Sequence, residues 1–110
     1  MAVSDQNMSD ALTYLAADPH PLAVARYNLT VAENKSRETF ANLFLASDEK
    51  TNDARKASVE CDPAFIAIKQ AEAEAVREYE RHRSRTKAAD MLIECWRTEQ
   101  SNIRAAERVR

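Results

Sequence analysis

The sequence predicts an all-α protein, and three observations carry that prediction. The chain has no glycine, it has only three prolines (Pro19, Pro21 and Pro63), and no proline follows Pro63 through to Arg110. Without glycine, tight positive-φ turns and Asn-Gly hairpins are handicapped. So are the phosphate-cradling loops of Rossmann and P-loop folds. A chain of 110 residues suffices for one domain but buries too little surface to enclose a deep cavity.

The elements follow in chain order. Residues 1–8 are polar and read as a frayed lead, after which Ser9-Asp10 can cap a short helix through Leu12 and Leu15 to about Ala17. Asp18-Pro19-His20-Pro21 breaks it, so residues 1–20 form a short helix and its breaker. Pro21 suits the first position of a second helix, because its missing N–H would be unbonded there anyway. That helix runs over 21–46, with Leu22, Ala25, Leu29, Ala32 and Leu43 on a 3-4 spacing and Phe40 and Phe44 widening the stripe. Residues 47–62 read as a connector in which Ala54 to Val59 can form a short helical turn. Asp62-Pro63 pairs an N-cap residue with a first-turn proline and opens a long helix over 63–109, rich in Ala, Glu, Arg, Lys and Gln.

A helix of about 46 residues spans roughly 70 Å, so the second helix cannot cover it along its length. Stepping 3-4 from Phe65, the inward positions are Phe65, Ile68, Glu72, Ala75, Tyr79, His82, Thr86, Ala89, Ile93, Trp96, Gln100, Ile103 and Glu107. An antiparallel, coiled-coil-like hairpin in which the second helix covers about 63–90 leaves Met91, Leu92, Ile93, Trp96 and Ile103 with no cover except the short first helix. Such a stripe predicts a partner surface, and a homo-oligomer is expected.

Charge is divided along the chain. Residues 1–62 carry six Lys/Arg against ten Asp/Glu, whereas residues 81–110 carry eight against four. The two cysteines, Cys61 and Cys95, match no disulfide framework or metal spacing and are expected as small buried hydrophobes in a reduced, cytoplasmic protein. No basic-then-apolar leader opens the sequence and no apolar run approaches membrane-spanning length, so a soluble, untargeted chain is expected.

No catalytic group is expected, no cofactor and no metal: Glu72, Glu74, Glu78 and Glu80 spread around the helix, and His20 and His82 lie far apart in sequence. The richest candidate is Arg81-His82-Arg83-Ser84-Arg85-Thr86-Lys87, which holds no acid. With Arg77, Arg97, Arg104, Arg108 and Arg110 it makes a basic tract of the kind that contacts phosphate backbones. Glu78, Glu80, Glu94 and Glu99 offset part of that charge through helical pairs. Trp96 could stack on a base, but its inward position favours packing.

The string from Ala71 to Val109, AEAEAVREYERHRSRTKAADMLIECWRTEQSNIRAAERV, resembles small phage-encoded helical proteins of the recombination-mediator (UvsY-like) type. The likeness covers about residues 22–108, through the connector's Arg55-Lys56-Ala57 and the final Trp96-Arg97-Thr98-Glu99-Gln100 with Arg104. It implies a non-enzymatic helical oligomer, in the host cytoplasm, that binds single-stranded DNA. Such a protein helps a RecA-like recombinase displace single-strand-binding protein. The residues placed on DNA are then Arg77, Arg81, Arg83, Arg85 and Lys87, with Arg97 and Arg104 secondary. Two alternatives stand beside it. One is a phage-type inhibitor or anti-defence protein that presents Asp48, Glu49, Asp53, Glu60 and Asp62 to a host protein; the other is a structural coiled-coil subunit.

Overall fold

The computed structural model describes residues 2–109, and the described chain forms four helices and no strand. They are α1 (Asp5–Ala16), α2 (Pro21–Ala46), α3 (Asn52–Glu60) and α4 (Pro63–Val109). The fold is all-α, paired as antiparallel helices, with the long C-terminal helix the sequence predicts. No helix among the described residues is long and apolar enough to cross a membrane.

Local chemistry sets the helix ends. Asp62 Oδ1 accepts from Ala64 N–H at 2.8 Å and Asp62 O from Ile66 N–H at 3.0 Å, so the Asp-Pro start acts as read. Thr51 Oγ1 accepts from Ala54 N–H at 3.1 Å and turns the expected connector into a nine-residue helix. The start of α1 differs from expectation. Ser4 Oγ caps Asn7 N–H at 3.0 Å, which brings Ser9 and Asp10 inside the helix instead of at its start. Of the expected frayed lead, residues 5–8 are helical and Met1 lies outside the described residues.

The chain divides into two compact units, a terminal one of Met1–Ala23 with Arg81–Arg110 and a central one of Val24–Glu80. In the central unit α2 and the first part of α4 run antiparallel: Arg26 lies over the Tyr79 ring at 5.6 Å, Ser36 Oγ donates to Glu72 Oε2, and the Phe40 and Phe65 rings meet edge-on at 5.7 Å. Ala25 and Leu29 are buried on α2 and Val59 of α3 is 2 % exposed, each at or beside the apolar face that burial from water favours.

In the terminal unit α1 pairs antiparallel with the last part of α4. Val3 N–H donates to Glu99 Oε1 and Oε2 at 3.0 and 3.2 Å, and Ala11, Tyr14 and Ala89 form the core, flanked by Leu15, Leu92 and Ile93. The cover attributed to α2 as far as residue 90 therefore falls to α1 within this unit.

Every inward position named from Phe65 to Gln100 is buried or half-buried. The stepping fails only at Ile103 and Glu107, since all of 101–109 is exposed beyond the reach of a 12-residue α1. Cys61 and Cys95 are free and exposed, contrary to expectation. Cys61 ends α3 at the surface, and Cys95 sits one residue before inward Trp96, about 100° away around the helix.

Candidate nucleic-acid interface

The basic window lies on α4 in the terminal unit, and the 3-4 stepping sorts its side chains. His82 and Thr86 turn inward and are half-buried, whereas Arg81, Arg83, Ser84, Arg85 and Lys87 are exposed. What holds the inward pair is Tyr14 of α1, a residue the sequence reading passed over.

Tyr14 is 6 % exposed, yet its hydroxyl is fully used. Oη donates to the His82 carbonyl at 3.2 Å, lies 3.1 Å from His82 Nδ1 and 3.4 Å from Thr86 Oγ1, and Thr86 Oγ1 itself donates to the same carbonyl at 2.8 Å. Arg81 Nη2, which can only donate, stands 3.1 Å from His82 Nε2; this suits a ring whose Nδ1–H faces Tyr14. Arg85 lies over the Tyr14 ring at 4.2 Å from its centroid, a close cation–π contact.

The two histidines, distant in sequence, converge on this ring. His82 stacks at 6.1 Å and His20 meets it edge-on at 5.1 Å, while His20 Nδ1 accepts from Leu22 N–H at 3.1 Å. The signal in the sequence was the i,i+3 pair Ala11 and Tyr14, which outranks Leu12: that leucine remains 49 % exposed. A buried tyrosine with a polar tip can bury against a seam of His and Thr where a leucine cannot.

The remaining candidates lie along the same helix. Arg97 pairs with Glu94 at 3.2 Å, Arg104 Nε donates to Gln100 O at 3.4 Å, and in the central unit Arg77 pairs with Glu74 at 3.7 Å. These are exposed helical pairs of small net worth, which a phosphate can replace. Arg81, His82 and Arg83 each have partners as well. Arg110 lies outside the described residues.

Of the expected partner surface, Met91 is 62 % and Ile103 51 % exposed, whereas Leu92 and Ile93 pack against the α1 core and Trp96 is half-buried. Among the described residues no three His, Cys, Asp or Glu side chains gather as metal ligands, and no buried side-chain polar atom lacks a partner.

Fold and site together define an all-α protein that carries an exposed basic stretch of helix braced by a buried tyrosine. No protein-family model, no curated protein and no solved structure matches the chain.

Proposed function

We propose that the protein is a non-enzymatic accessory factor that binds single-stranded DNA through the basic window of α4. One observation carries this reading: Arg81, Arg83, Arg85 and Lys87 are all exposed, while His82 and Thr86, two of the three uncharged polar positions between them, turn inward to Tyr14. The window thus presents its cations and Ser84 at the surface and commits His82 and Thr86 to the fold. Cations distributed to both sides of a helix suit a flexible strand, which can follow them, better than a rigid duplex. The resemblance to recombination mediators supports the same class and adds a RecA-like recombinase or single-strand-binding protein as the partner. Self-association through exposed Met91 and Ile103 would multiply weak basic patches into useful avidity.

Fluorescence anisotropy of a labelled oligonucleotide tests it. Binding is expected to weaken with salt, with a log-log slope of about −0.7 per phosphate contacted. Arg81→Ala/Arg83→Ala/Lys87→Ala should reduce the slope by about 2 and leave helicity intact; Arg85 is spared because it packs on Tyr14. No binding at about 50 mM salt, or a slope unchanged in the triple variant, would defeat the proposal. Light scattering over a concentration series tests the oligomer.

A second reading is favoured by one feature of the central unit. Asp48, Glu49 and Asp62 line one depression together with Leu43, Ala46 and Val59, the acidic surface an inhibitor would offer to a host protein's basic site. Competition by the protein for a host DNA-binding protein, with no binding of its own to oligonucleotide, would select this reading instead.

A further inference from the structure

The central unit holds a groove that the DNA-binding reading does not use. It has a volume of about 320 Å³ and is lined by residues of α2 and α4. Glu33 and Glu72 are its carboxylates, Arg37 and Lys69 its cations, Phe40 and Phe65 its aromatic rings, and Ser36 completes the lining. The antiparallel pairing of α2 with α4 brings them together, since Ser36 is bonded to Glu72 and Phe40 touches Phe65.

The groups are held in place before any ligand arrives. Ser36 is buried and donates to Glu72, and Lys69 Nζ donates to the same carboxylate at 3.1 Å. The Phe rings meet edge-on and are each half-buried, leaving ring surface open to the groove. Arg37 is exposed at the groove wall, and its charge acts on Glu72 without an ion pair of its own among the described residues. A pocket with an apolar end and a few converging charged groups is the usual form of a small-molecule site.

We infer that this groove binds a free aromatic α-amino acid. The ring would pack on Phe40 and Phe65, the carboxylate would take the planar fork of Arg37 with Lys69 beside it, and the ammonium would face Glu33 and Glu72. Two cations and two carboxylates in the lining cancel, which suits a zwitterion and disfavours a simple anion or cation.

The test is a titration of the full chain followed by amide NMR shifts, with L-phenylalanine as the probe. Saturable shifts are expected at residues 33–40 and 65–72. Phenylpropionate, which lacks the ammonium, phenethylamine, which lacks the carboxylate, and alanine, which lacks the ring, should each bind at least about tenfold more weakly. Arg37→Gln, an exposed change that leaves the helix pair intact, should weaken L-phenylalanine about tenfold. No saturable shifts up to about 10 mM would overturn the inference. So would equal binding of any of the three truncated probes, or an Arg37→Gln variant that binds like the parent.

Discussion

The central and terminal units solve the same problem, pairing a second helix antiparallel with α4, by different means. The central unit uses mostly apolar and aromatic contacts, with Ala25, Leu29 and Val59 buried and Phe40 on Phe65, and adds one buried polar contact from Ser36 to Glu72. The terminal unit buries three residues, Ala11, Tyr14 and Ala89, and relies on one hydroxyl shared among His82 and Thr86. A polar seam is directional where an apolar one is not. The terminal core, with fewer buried apolar residues, therefore depends more heavily on its directional contact, which lies under the basic window.

That contrast can be broken most sharply at Tyr14. Tyr14→Ala removes the largest buried side chain of the terminal core and its hydrogen bonds, at a cost of about 3 kcal/mol or more. Hydrogen exchange should show α1 amides losing protection while those of α2 and α3 keep theirs. Protection of α1 equal to the parent's would mean that Tyr14 is not the anchor.

Leu29→Ala is the matching change in the central unit and should cost about 2 to 3 kcal/mol by chemical denaturation. Here the exchange pattern should invert, with α2 loosened and α1 amides unaffected.

Tyr14→Phe is a finer probe, because it keeps the ring and the Arg85 contact but leaves the His82 and Thr86 partners short of one group. A loss of about 1 kcal/mol is expected, larger than for Tyr27→Phe on the exposed face of α2. Equal losses for the two would show that the hydroxyl network adds nothing.

The smallest effect concerns Glu72. The hydrogen bond from Ser36, then that from Lys69, hold its carboxyl below the ordinary range, with burial opposing them. A depressed folded pKa means that the contribution is present above the ordinary carboxylate range and is lost as pH falls through that range toward the folded value. Ser36→Ala should therefore lower stability modestly at neutral pH and flatten the acid limb below about pH 4, variant and parent converging at low pH. A parent-like acid limb in that variant would remove Ser36 as the cause.

Much of this was legible in the sequence because helices are local. The absence of glycine, Pro21 at one helix start and Asp62-Pro63 at another bounded α2 and α4 correctly, and the 3-4 stepping from Phe65 picked out the inward face as far as Gln100. Capping was legible in kind but not always in place: Ser4 and Ser9-Asp10 are both competent N-caps, and the contact of Val3 with Glu99, far away in sequence, accompanies the earlier start.

What the sequence by itself determined is the helical class, the extent of the two long helices and the division of charge, all of which depend on backbone preference and on spacing within one element. What only the tertiary structure decided is which residues meet. Tyr14 is brought to both histidines and to Arg85, Ser36 to Glu72, and Arg37 to the same groove as Lys69 and two phenylalanines. Those meetings depend on the register between helices joined through turns, and no periodicity within a single helix encodes that register.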